Sequence, residues 1–266
     1  MGTYQVVKTP GGGLWVRETD GLDMAAMGAV GLAGSALGGA LAFAGRAAAK
    51  IDRYDLEQAW TAVLDAKDSE DWPLAYELAK RFVRRYPKQE AGYEALADAA
   101  ACAGLPPDDQ LRTTDLLEAH GGSREDVAMY RMRAYFDAED MTNTLREANA
   151  VIACKGEQEV LGRAFRARAL LWLGDFDQAL NDANVAVSLS ADALCYSVRA
   201  DVSWARGELA KAVIDYSFAI RLEPDEPRLL EKRASVCEAR GSLEAAAADR
   251  RAAEEIRQRL GSDRRG

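Results

Sequence analysis

Histidine is almost absent from this chain of 266 residues, which has one, His120. Without a second histidine, a nucleophilic triad or a histidine-based metal site has little to build on. His120 itself lies in the run Ala119-His120-Gly121-Gly122 and reads as a favourable charge at a helix end. The four cysteines, Cys102, Cys154, Cys195 and Cys237, form no CxxC pair and match no zinc spacing. They fall in predicted helices, where free cysteine acts as a small apolar residue, and the absence of a disulfide framework points to a reducing compartment. A basic excess is also lacking. The net charge of -9 argues against a nucleic-acid ligand, which would need a basic stripe. Neither GK[ST] nor a GxGxxG accompanies Gly11-Gly12-Gly13, so no phosphate loop is encoded. The carboxylate pairs Asp108-Asp109 and Glu254-Glu255 fall on faces predicted to be solvated. No catalytic residue, cofactor site or metal ligand is therefore expected, and the chain reads as non-enzymatic.

What the chain does have is a period. Gly174, Gly207 and Gly241 stand 33 and 34 residues apart. Seven positions before them stand Ala167, Ala200 and Ala234; five after, Ala179, Ala212 and Ala246; twelve after, Ala186, Ala219 and Ala253. Self-similarity at this length marks a solenoid of helix pairs. The glycine occupies a helix-ending left-handed position, and the alanines occupy helix crossings, where a larger side chain would wedge the backbones apart. Phe176, Leu209 and Leu243, two residues past the glycine, are expected to fill gaps between neighbouring pairs.

The run Leu173-Gly174-Asp175-Phe176, with Ala167, Ala179-Leu180, Ala183, Ala186 and Leu189, resembles the tetratricopeptide repeat (TPR) family, and Gly207 to Pro224 repeats the resemblance. Arg250 departs from it, since the family prefers an aromatic there. The register continues upstream through Glu70, Gly104 and Glu139, giving six slots spaced 34, 35, 35, 33 and 34. Pro106-Pro107-Asp108-Asp109 breaks the second unit and suggests a longer loop. The resemblance implies an all-α, right-handed solenoid of about six helix pairs over residues 51–260. Its final helix, about 243–260, carries Asp249, Arg250, Arg251 and further charges as a solvated cap, and 261–266 form a frayed tail.

The first fifty residues belong to a different object. Tyr4–Lys8 and Leu14–Arg17 are strand-like and are separated by strong turn chemistry, so residues 1–22 suggest a short hairpin. Within 23–50, residues Met24 to Gly45 form an uncharged Gly/Ala-rich run, about 33 Å long as a helix and enough to cross a hydrocarbon core. The run is weakly hydrophobic, and a buried helical segment, a flexible linker or a signal peptide are its alternatives. Gly34 and Gly38 form a GxxxG that offers a self-association surface. The flanking Arg46, Lys50 and Arg53 favour a membrane-associated chain with its repeats in the cytoplasm; a soluble cytoplasmic chain, or repeats on the opposite side, are the other readings.

In the family, the first helix of each pair lines a concave groove that receives peptides or partner helices. That face maps here onto Met129, Arg133 and Phe136 in the third unit and Ala164, Arg168, Leu171 and Trp172 in the fourth. In the fifth it maps onto Ser197, Asp201 and Trp204. Arginine beside aromatics suits an acidic-aromatic protein or peptide partner; solvated arginines and gap-filling tryptophans are the bland alternative. The lysine–asparagine clamp that one family subtype uses for carboxylates is missing, with Ala164 and Arg168 in its place. The resulting expectation is a membrane-anchored, non-catalytic scaffold. The alternatives are a soluble scaffold, whose N-terminal helix packs on the array or drives self-assembly, and a regulatory subunit of an enzyme in another chain.

Overall fold

The computed structural model describes residues 4–8, 14–18 and 55–263 and divides into two units, Met1–Leu56 and Glu57–Gly266. In the first, strands β1 (Tyr4–Lys8) and β2 (Leu14–Glu18) pair antiparallel, with Val6 opposite Val16 and Val7 opposite Trp15. The turn expected between them and the apolar helix expected at 24–45, including its GxxxG, lie outside the described residues. Among the described residues no helix is long and apolar enough to cross a membrane.

The second unit is helical throughout. Its first pair is α1 (55–68) with α2 (Trp72–Arg85), and its second α3 (Glu90–Cys102) with α4 (Pro107–Ala119). Then follow α5 (Arg124–Asp137) with α6 (Met141–Cys154), and α7 (Glu159–Leu173) with α8 (Phe176–Leu189). The last two pairs are α9 (Ala193–Ala205) with α10 (Leu209–Leu222), and α11 (Pro227–Ala239) with α12 (Leu243–Asp263).

Every one of the six slots read from the sequence is a left-handed residue: Glu70 (φ 55°), Gly104 (65°), Glu139 (56°), Gly174 (84°), Gly207 (78°) and Gly241 (84°). One hydrogen bond closes all six turns. The residue after the slot donates its N–H to the carbonyl four residues before the slot: Asp71 to Ala66, Leu105 to Ala100, Asp140 to Tyr135, Asp175 to Leu170, Glu208 to Ser203 and Ser242 to Cys237, at 2.8–3.2 Å. This six-to-one bond satisfies a carbonyl that the ending helix leaves open. Asp71, Asp140 and Asp175 then cap the next helix by accepting an N–H three residues on. A turn that both ends one helix and starts the next fixes each pair as a unit.

The crossing alanines are buried: Ala167, Ala179, Ala186, Ala200, Ala212, Ala219 and Ala234 are fully inaccessible. Small side chains at these points let helices approach closely enough to replace bulk with backbone contact. Helices pack against their chain neighbours, and the first helices also touch one another, α3 with α5, α5 with α7 and α7 with α9. Contact along that layer makes it the inner wall of a curved array.

Several expectations are corrected. Pro106-Pro107-Asp108-Asp109 is no long loop: Pro107 opens α4, in the first turn where its missing N–H costs nothing, and the two aspartates sit at the positive end of the helix dipole. α12 continues to Asp263, so Gly261 and Ser262 are helical rather than a frayed tail. Phe176 and Leu243 are 38% and 67% exposed and fill no gap, whereas Leu209 packs against Ala200, Ala212 and Tyr216. Asp249 is buried rather than a solvated cap charge, and the neighbouring cap arginines fold back: Arg250 pairs with Glu238, Arg257 with Glu231 and Arg259 with Asp225.

Candidate functional site

The inner wall is built from α5, α7 and α9, and its chemistry is set by which arginines have found carboxylates. On the side of α7 facing α8, Arg166 grips Asp182 with two bonds of 2.6 Å. Arg199 holds Asp215 at 2.8 Å twice, and Arg233 holds Asp249 at 2.9 and 2.6 Å. The three aspartates are only 2%, 5% and 7% exposed. Each arginine also reaches the second helix of the preceding pair, through Asn149, Asn184 and Ser217 respectively. Hydrogen bonding to the carboxylate raises the pKa of Arg166, Arg199 and Arg233 against the opposing effect of burial. All three stand eight residues before a slot glycine and their aspartates eight after, a regularity present in the sequence that the search for apolar periodicity passed over.

Arg168, two residues beyond Arg166, is different. Its guanidinium lies over the ring of Phe136 at 4.2 Å and near that of Phe165 at 5.7 Å, and the two rings meet edge-on at 5.1 Å. Among the described residues it makes no ion pair. Burial lowers its pKa, and the more distant Asp201 and Asp137 only partly oppose that effect. Arg133 stands one helical turn before Phe136, on the same face of α5. It too meets no carboxylate within ion-pair distance among the described residues; its guanidinium approaches Cys102 Sγ at 4.0 Å. Phe136, Phe165 and Arg168 thus meet in one cluster, while Arg133, on the same helix as Phe136, reaches toward Cys102 on α3.

The remaining expected residues divide. Met129 and Ser197 are buried, at 7% and 9% exposure, as is Ala164, because this part of each first helix faces the neighbouring pair. They offer little surface to a ligand. Leu171 packs on Leu170, Ala179 and Val202, and Trp204 packs on Ala200, Ala212 and Tyr216. Asp201 is engaged inside the array: Lys232 Nζ donates to it at 2.7 and 2.9 Å, and Tyr216 Oη also donates to it. Its charge is thereby largely compensated. Trp172 is 65% exposed at the end of α7 and fills no gap between repeats. His120 stacks on Tyr93 at 3.8 Å, and its Nδ1 lies 2.8 Å from the Leu116 carbonyl. It therefore sits at a helix terminus, among terminal carbonyls. Among the described residues no cluster of histidine, cysteine and carboxylate groups has the arrangement of a metal site.

No protein-family model matches the chain, and no curated protein matches it. Solved structures do. A thermophilic TPR protein of Thermus thermophilus is 17% identical, with 68% of this chain and 98% of that chain covered and a TM-score of 0.58. A TPR protein of Parabacteroides merdae is also 17% identical, with 73% and 77% covered and a TM-score of 0.55. The APC/C Cut9–Hcn1 hetero-tetramer gives 11% identity and a TM-score of 0.64, with 73% of this chain aligned to 38% of that chain. At such identities the likeness is one of fold. In fold, the chain is a tetratricopeptide-repeat-like α-solenoid.

Proposed function

We propose that the chain is a non-catalytic protein-interaction scaffold whose inner wall receives an acidic, aromatic-bearing segment at Arg133, Phe136, Phe165 and Arg168. The observation that carries this is Arg168, a half-buried cation that meets aromatic rings and no carboxylate among the described residues. Arg166, Arg199 and Arg233 are each held by a buried aspartate. A desolvated cation with no carboxylate in ion-pair contact, opposed only at longer range by Asp201 and Asp137, is poised to accept one from a ligand, and the adjacent rings add apolar area and shape. The similarity to solved TPR arrays supports the scaffold class. Membrane anchoring is not needed for this reading, because the site lies wholly within the helical array.

Selection from a random peptide library tests it. Wild-type protein should enrich peptides with Asp or Glu next to Phe, Tyr or Trp. Arg168→Glu should lose that enrichment while keeping its helical dichroism. Equal enrichment by the two proteins, or enrichment of basic peptides by the wild type, would remove the inner wall as the site.

A further inference from the structure

The inner wall carries a symmetric row of charge. Six residues before the slot stand Asp98 on α3, Arg133 on α5, Arg168 on α7 and Asp201 on α9. These four helices touch in that order. Asp98 and Arg133 meet at Cys102, whose Sγ lies 3.8 Å from Asp98 Oδ1 and 4.0 Å from Arg133 Nη2. Asp201 is near enough to Arg168 to oppose the effect of burial on it, as is Asp137 at the end of α5. Each outer aspartate is held by a lysine from the next inner helix outward: Lys67 on α1 at 2.8 Å from Asp98, and Lys232 on α11 at 2.7 Å from Asp201. The signs therefore run plus, minus, plus, plus, minus, plus, the same from either end. The two aspartates keep 24% and 16% of their side-chain surface, so a ligand on the wall still meets them.

We propose that Asp98 and Asp201 are specificity residues that confine the acidic part of the ligand to the two middle units, at Arg133 and Arg168. This rests on the inner wall being the ligand site. Touching helices pack about 8–10 Å apart, and an extended chain covers about 3.3 Å per residue. A segment crossing the wall therefore sets residues about three apart on successive inner helices. Two acids at that spacing reach Arg133 and Arg168, and an aromatic residue between them reaches Phe136 and Phe165. A third acid, the same distance further on at either end, comes to α3 or α9. There it meets a carboxylate whose counter-charge is already in place. It gains no partner, is repelled by the carboxylate and gives up hydration. The ligand is then a short acidic segment with non-acidic flanks, and a long acidic run is rejected.

Fluorescence anisotropy with end-blocked, labelled peptides X-Gly-Ser-Glu-Phe-Ser-Glu-Gly-Ser-X tests this on the full chain. With glutamine at both X positions the wild type should bind saturably. Glutamate at either X should weaken binding about threefold or more. Asp201→Asn should remove the penalty at one end and Asp98→Asn at the other, each with unchanged helical dichroism. Lys232→Gln leaves Asp201 uncompensated and should deepen the penalty at the end that Asp201→Asn relieves. Asp98→Asn and Lys232→Gln carry the test if Asp201→Asn, whose side chain meets buried Tyr216, loses helicity. Glutamate peptides that bind as tightly as the glutamine peptide, or a penalty that none of these variants changes, overturn the confinement and leave the ligand site standing. A glutamine peptide with no saturable binding up to about 1 mM, or with binding that survives Arg168→Glu, removes the ligand site and the confinement with it.

Discussion

Arg233 and Asp249, sixteen residues apart on α11 and α12, form a two-pronged ion pair at 2.9 and 2.6 Å, with the aspartate only 7% exposed. The pair locks the two helices of the last unit together, and Arg233 Nη1 also reaches Ser217 Oγ of the preceding unit at 3.0 Å. Arg199–Asp215 and Arg166–Asp182 repeat it one and two units earlier. Removing the carboxylate leaves a half-buried guanidinium without its counter-charge, which costs far more than losing a solvent-exposed pair. Asp249→Asn should destabilise the last unit by about 2 kcal/mol. In an array whose units contact only their neighbours, that loss appears first as fraying of α11 and α12, which amide hydrogen exchange measures residue by residue. Protection in these helices equal to the wild type would contradict a structural role for the pair.

The six left-handed slots are not equally occupied. Glu139, with φ 56°, carries a Cβ where four other slots have glycine, and its side chain is exposed. Left-handed backbone costs an L-residue about 1–2 kcal/mol, part of which glycine gives back through its freedom in the unfolded chain. Glu139→Gly should therefore stabilise the array by about 0.5–1 kcal/mol. Gly207→Ala should destabilise by about 1–2 kcal/mol, and through backbone strain alone, since a Cβ there would meet no atom within 4 Å. Urea denaturation midpoints of the two variants should move in opposite directions.

Ala200 and Ala212 are fully buried in one cluster with Tyr216 and Val236. Replacing either by leucine forces a larger side chain between helices in close contact. Ala200→Leu and Ala212→Leu should each cost about 1–3 kcal/mol, read as a lowered denaturation midpoint. Trp172→Ser, at a site 65% exposed, should change the stability by less than about 0.5 kcal/mol.

The thiols should separate by reactivity. Burial, together with the neighbouring Asp192, pushes the Cys195 thiol up to about 12. At pH 8 it stays protonated in the folded protein and should react with maleimide far more slowly than half-exposed Cys154. The sign of the linkage follows. An unfolded thiol ionises near pH 9, so the stabilisation from neutral Cys195 is intact below that pH and is lost as the pH rises toward about 12. Cys195→Ala should flatten the alkaline loss of stability over that interval, as measured by urea midpoints from pH 8.5 to 11.

What the sequence by itself determined is the frame. Glycine spacing and recurrent alanines located all six turns, including two occupied by glutamate, because a left-handed helix end and a close helix crossing each admit few residue types. The same local logic grouped Arg133, Phe136 and Arg168, of which Phe136 and Arg168 meet at 4.2 Å. It failed where the outcome depended on a neighbour. Asp249 looked like any charge on a cap helix until α11 brought Arg233 against it. Met129 and Ser197 looked available until the adjacent unit covered them. Phe165 went unnoticed because its value comes from Arg168 and Phe136 together. Helix type and turn position follow from short-range sterics, which a linear chain displays. The state of each charge and the exposure of each aromatic ring follow from packing between units, so only the tertiary structure decided which arginines are held by carboxylates and which lie against aromatic rings.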